Sequence, residues 1–190
     1  DEVVELTADF LSVATNNFAE GRLIGEGAFG KVYEGVHQGV NQRFAVKRLV
    51  ASVGDEMDAA NRDFAKEIEV LRRFRHPHII RLHAFSTDHR CLVYELGSQG
   101  SLAAMLANDE KVAGLTWKLR VRIANGIAKA LSYLHNHGER PVFHRDVNSS
   151  NAVLCGRGMT VKLIDCGLSM LLNEEQVQTQ QSIFTVTQGA

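Results

Sequence analysis

Between residues 21 and 49 apolar and polar residues alternate, as in Lys31-Val32-Tyr33-Glu34-Gly35-Val36. Side chains that change sides at every residue predict β-strands, with Gly35 and the stretch 37–42 as turns. Residues 1–20 read as helical or irregular, with Phe10, Leu11, Ala14 and Phe18 as docking residues. Residues 51–60 form a small, acidic, glycine-bearing linker. From about residue 58 to 74 the spacing becomes helical: Phe64, Ile68 and Leu71 fall on one face with Glu67 beside them. His76-Pro77 ends that helix. Two further strands, 79–85 and 90–96, follow around a polar turn.

Residues 97–100 interrupt the pattern and separate a mostly-β part from a mostly helical one. The division expected is an extension over 1–20, a first lobe over 21–96 and a second over 97–190. Ser101 can cap a short helix, 102–107, and Thr116 a long one reaching residue 137. Ile123, Ile127, Ala130, Leu131 and Leu134 form the apolar stripe of the long helix. Short strands at 152–154 and 161–164 flank a turn at 156–158. After Asp165 the chain turns polar and glutamine-rich, and its periodicity fades.

The 190 residues suffice for one domain or two small lobes sharing an interface. A net charge of −1 gives no general attraction to nucleic acid or anionic lipid, so any phosphate binding must come from a local arrangement. Three cysteines (Cys91, Cys155, Cys166) without CxxC spacing point to reduced thiols in a cytosolic setting. His76, His78, His83 and His89 lack the acid or thiol spacing of a zinc site and read as loop and strand-end residues. No apolar run approaches the length of a membrane span, and no signal peptide is visible. The chain opens on Asp1, which reads as an excerpt from a longer protein.

Gly25-Glu26-Gly27-Ala28-Phe29-Gly30 can close its backbone over phosphates, but a dinucleotide-binding turn has the same spacing. The strand pattern after Gly30 separates the two, because a dinucleotide fold needs a helix there. Ala45-Val46-Lys47 follows as an apolar strand ending in a lysine. Further on come His144-Arg145-Asp146 with Asn151, then Asp165-Cys166-Gly167. In this order the chain resembles a protein kinase catalytic domain. The resemblance implies an α+β, bilobal fold: an antiparallel sheet plus one helix in the N-lobe, and a mostly helical C-lobe cut short after the activation segment.

Phosphoryl transfer needs charge neutralised on the nucleotide, metal ions at the phosphates and a hydroxyl aimed at the γ-phosphorus. Gly25, Gly27 and Gly30 would admit the phosphates, Lys47 would meet the α- and β-phosphates, and Glu67 would pair with Lys47. The resemblance assigns Asp146 to the acceptor hydroxyl, and Asn151 and Asp165 to Mg²⁺, which prefers hard oxygen ligands. Tyr94, Glu95 and Leu96 would line the hinge at the adenine edge of ATP. Val32, Ala45 and Val153 would sandwich the ring, although plain core packing explains these three equally well.

Ala14-Thr15-Asn16-Asn17-Phe18, the run 24–35 and His144-Arg145-Asp146-Val147-Asn148-Ser149-Ser150-Asn151 are similar to the receptor-like, Pelle and interleukin-receptor-associated kinase group. Tyr94 at the gatekeeper position fits the interleukin-receptor-associated branch. Members are serine/threonine kinases acting on protein substrates under an upstream receptor or adaptor, in the cytoplasm or at the cytoplasmic face of a membrane.

Departures from the motif bring in a rival reading, a nucleotide-binding pseudokinase or inactive fragment acting through partners. Asn148 stands where the motif has a lysine on the γ-phosphate; losing such a charge-assisted bond slows transfer roughly 10- to 150-fold. Cys166 replaces the motif's phenylalanine and reads as small core filler. The stretch 187–190 resembles the substrate-docking end of the activation segment, and later helices should follow it. Arg145 could pair with a phosphate on Ser182 or Thr185 and order that segment.

Overall fold

The computed structural model of the chain describes residues 2–27, 30–49, 64–65, 67–136, 142–165 and 170–171. The linker at 51–60, Cys166, Ser182, Thr185 and the stretch 187–190 lie outside the described residues.

The first lobe is built on a sheet of order β1-β5-β6-β4-β3-β2. Its strands are β1 (Val4–Glu5), β2 (Leu23–Gly27), β3 (Gly30–His37), β4 (Gln42–Leu49), β5 (Leu82–Ser86) and β6 (Cys91–Glu95). The β2–β3, β3–β4, β4–β6 and β5–β6 pairs are antiparallel. β1 pairs with β5 in parallel, Val4 opposite Ala84. Helix α1 (Ala8–Ala14) follows β1, and the Thr7 hydroxyl caps it by accepting from Phe10 N. Helical residues at 64–65 and 67–71 (α2) carry Phe64, Ile68 and Leu71, all buried.

The period of two sorts β4 between two cores. Phe44 and Val46 face outward and pack with Leu11, Ala14, Ala84, Cys91 and Val93 beneath α1. The sheet therefore has α1 on its outer face, and residues 4–18 supply part of its core. On the inner face Leu82 and Leu92 join Phe64, Ile68 and Leu71 of α2 in the larger core.

That core continues into the second lobe. It comprises α3 (Leu102–Leu106), α4 (Asp109–Ala113), α5 (Trp117–Asn136) and strands β7 (Val142–Phe143), β8 (Ala152–Cys155), β9 (Thr160–Leu163) and β10 (Met170–Leu171). β8 pairs with β9, and β7 with β10. Ser101 caps α3 through Ala104 N, and Thr116 Oγ1 accepts from Leu119 N at the start of α5. On α5, Ile123, Ala130 and Leu134 are buried, whereas Ile127 and Leu131 are half-buried. Helix α4 has no apolar stripe to announce it; Asn108 caps it by accepting from Lys111 N at 2.9 Å. The strand expected from residue 79 begins at Leu82, because Ile79 bridges in parallel to Leu163 of β9.

Candidate active site

Residues opposite one another in a sheet share a face. Val32 stands opposite Lys47, Lys47 opposite Leu92, and Ala45 opposite Tyr94. Val32, Ala45, Lys47 and Tyr94 therefore line the inner face, where Val32, Ala45 and Tyr94 stay half-buried and Lys47 is buried. At the upper end, Gly25 stands opposite Val32 and Gly27 opposite Gly30. Gly30 has φ of 144°, and a Cβ there would lie 2.2 Å from the Arg48 carbonyl oxygen, so only glycine fits.

Lys47 Nζ forms an ion pair with Asp165 Oδ1, joining β4 to the second residue after β9 in the second lobe. Glu67 faces the same two charges. Burial pushes its carboxyl above the usual carboxylate range, the Lys47 charge pulls it back, and Asp165 pushes it up. Asp165 is thus a carboxylate that meets Lys47, and Glu67 lies near enough to feel the lysine charge.

His144 is 1% exposed. Its Nδ1 accepts from Asp146 N at 3.4 Å, which leaves Nε2 as the protonated nitrogen. Nε2–H then donates to the Ile164 carbonyl at 2.9 Å. The residues on either side of this bond, Arg145 and Asp165, have φ of 65° and 63°. These turns present the Asp146 and Asp165 carboxylates from adjoining backbones.

Asp146 Oδ2 accepts from Asn151 Nδ2 at 2.8 Å, and Asp146 Oδ1 accepts from Asn148 Nδ2 at 2.8 Å. Asn151 Nδ2 also donates to the Asp146 carbonyl at 3.0 Å, and Ile164 N donates to the Asn151 carbonyl at 2.9 Å. With its amide nitrogen turned to Asp146, Asn151 has Oδ1 as the donor atom for a cation. Asn151 and Asp165 are thus the residues here whose oxygens could hold a hard cation such as Mg²⁺.

The hinge closes the far end of the face. Gln99 N donates to the Leu154 carbonyl and Leu154 N to the Gly100 carbonyl, both at 2.9 Å. Leu96 is half-buried there, and a Cβ on Gly97 would lie 2.8 Å from Val153 Cβ. Val153 thereby stands against the hinge. The Glu95 side chain is engaged elsewhere: its Oε1 accepts from Lys162 Nζ of β9 at 2.7 Å and from Arg81 N at 3.0 Å. The Glu95 backbone N–H is engaged as well, donating to the Arg81 carbonyl at 3.3 Å.

Arg145 is exposed beside Asp146. His76 stacks on Tyr133 at 4.9 Å, and His78 Nδ1 lies 2.8 Å from the Val161 carbonyl oxygen. Both histidines thus fasten the segment after α2 to the second lobe. Burial pushes the Cys91 thiol up to about 12, which keeps it protonated and unreactive. Asn148 and His144, both organisers of this loop, show nothing of their partners in the sequence. Their only signal is their position around Asp146.

Comparison with known proteins agrees with this geometry. The protein kinase domain family matches residues 18–188, and the chain belongs to that family. It is 36% identical over 166 residues to a probable leucine-rich repeat receptor-like protein kinase of Arabidopsis thaliana, covering 85% of this chain and 15% of that protein. It is 33% identical over 186 residues to cysteine-rich receptor-like protein kinase 44 of the same plant, covering 97% of this chain and 47% of the relative. A G-type lectin S-receptor-like serine/threonine-protein kinase, also from Arabidopsis thaliana, is 35% identical over 180 residues, 92% of this chain and 21% of that protein. The chain spans less than half the length of each of these relatives. The fold is the bilobal kinase fold, and the relatives put the chain in the receptor-like group.

Proposed function

We propose that the protein transfers the γ-phosphate of ATP to serine or threonine hydroxyls of other proteins. The observation that carries this reading is the meeting of Lys47 and Asp165 at the foot of the face lined by Val32, Ala45 and Tyr94. ATP would lie between that face and Val153, with its phosphates under Gly25, Gly27 and Gly30. Lys47 would hold the α- and β-phosphates, and Glu67 would steady Lys47. Asn151 and Asp165 would hold Mg²⁺, which supplies neutralising charge to the phosphate oxygens. The acceptor oxygen would bond to the γ-phosphorus as the bond to the bridging oxygen breaks. Asp146 would take the hydroxyl proton, and ADP would leave.

The boundaries proposed for this machinery are an extension at 1–20 and lobes at 21–96 and 97–190. We place the activity in cytoplasmic signalling, under an upstream receptor or adaptor, as the receptor-like relatives suggest. No helix among the described residues is long and apolar enough to cross a membrane. Phosphorylation of Ser182 or Thr185, read by Arg145, is the regulation proposed.

Asn148 favours a second reading, a pseudokinase that binds nucleotide and signals through partners. Transfer from labelled Mg-ATP to the chain itself and to a generic basic protein separates the two, beside an Asp146→Ala control. Label that needs Asp146 supports the kinase. Label no higher than the control, together with Mg-ATP binding, supports the pseudokinase.

A further inference from the structure

Asn148 carries no charge for a phosphate, yet its side chain is engaged at both ends. The amide nitrogen donates to Asp146 Oδ1 at 2.8 Å. The amide oxygen accepts from Ser150 N at 2.8 Å and from Asn151 N at 3.0 Å. No residue with only one kind of hydrogen-bonding group can make this set. A lysine donates but cannot accept, and an ionised aspartate accepts but cannot donate.

We infer that Asn148 is a positioning residue for phosphoryl transfer, whose two ends do separate work. Its nitrogen aims the carboxylate of Asp146, and its oxygen fixes the turn that presents Asn151. The Asp146 carboxylate receives one amide from Asn148 and one from Asn151, each 2.8 Å long. Two donors from opposite ends of one short turn restrain rotation about its last side-chain bond. Removing the Asn148 donor frees one oxygen of that carboxylate. Removing the acceptor uncaps the Ser150 N–H and leaves the Asn151 N–H with the Asn148 backbone carbonyl alone, at 3.2 Å. The inference rests on the kinase reading above for its catalytic consequence, and on the hydrogen bonds alone for the ordering of Asn151.

The test uses the full chain with Asn148→Ala and Asn148→Asp. Asn148→Asp keeps an acceptor for Ser150 N and Asn151 N but loses the donor and sets a like charge beside Asp146. Two quantities are read: the rate of phosphate transfer at saturating ATP, and the extra thermal stabilisation that Mg²⁺ adds to ATP. Both variants should lose about tenfold or more in transfer rate, the loss of one charge-assisted bond. In Asn148→Asp the KM for ATP should stay unchanged, which a general loosening of the fold would not give. Only Asn148→Ala should also lose the Mg²⁺-dependent stabilisation.

Transfer by both variants within about twofold of wild type would overturn the inference. So would loss of the Mg²⁺-dependent stabilisation in Asn148→Asp, or its absence from the wild type. A wild type without transfer, whose Mg²⁺-dependent stabilisation is lost only in Asn148→Ala, would end the kinase reading and leave the ordering of Asn151 standing.

Discussion

His144 Nε2 stands 2.9 Å from the carbonyl oxygen of Ile164, and this bond locks the turn carrying Asp146 to the strand end carrying Asp165. The residue is 1% exposed and bonded to the Ile164 carbonyl, so its loss has two costs. His144→Ala would leave a void and an unanswered carbonyl, together about 2–4 kcal/mol. A thermal melt should show that loss, and transfer should fall with it. A melting temperature equal to wild type would show that the two turns hold without the imidazole.

Glu67 makes stability depend on pH in a definite direction. Burial raises its carboxyl in the folded state, so the folded chain binds that proton more tightly than the unfolded chain does. Its contribution is therefore greatest at low pH and is lost as pH rises through the raised value. Glu67→Gln removes the ionisation and should stabilise the chain at pH values above the ordinary glutamate range, with the gain shrinking as pH falls through it. Melts of the two forms across that range check the sign. The same substitution should slow transfer, because Lys47 loses a neighbouring carboxylate.

At the hinge, Gly97 and Val153 leave no room for a methyl group, since a Cβ would sit 2.8 Å from Val153 Cβ. Gly97→Ala should therefore push Val153 toward the nucleotide face and weaken ATP binding by about 1–3 kcal/mol. Pairing it with Val153→Ala should recover part of the loss, and a double-mutant cycle by calorimetry would measure the coupling. Additive effects would mean that the hinge and Val153 do not press on each other.

Leu11 is 0% exposed between α1 and the outer face of the sheet. Leu11→Ala should cost about 2–5 kcal/mol, as deep core truncations do. Its neighbour Val13 is 62% exposed, and Val13→Ala should change stability by less than about 0.5 kcal/mol. Equal effects in denaturant titrations would show that α1 is not part of the folded core.

The sequence by itself determined the longer elements and the order of the chemistry, but not β1, α4, β7 or β10. Alternation placed the strands around Val32 and Lys47, Ser101 and Thr116 announced their helices, and the glycine-rich run, Lys47, Asp146, Asn151 and Asp165 came in kinase order. Those signals are local, because a period of two or a cap spans only a few residues. Only the tertiary structure decided which distant residues meet. It brought Lys47 to a carboxylate 118 positions away, brought His144 to Ile164, and turned Asn148 onto Asp146. It also bound β1 in parallel to β5 and set α1 over a sheet face whose partner no periodicity names. The physical reason is the same in each case. Hydrophobic pattern fixes which face of an element is buried, whereas the closure of long loops decides what lies across from it.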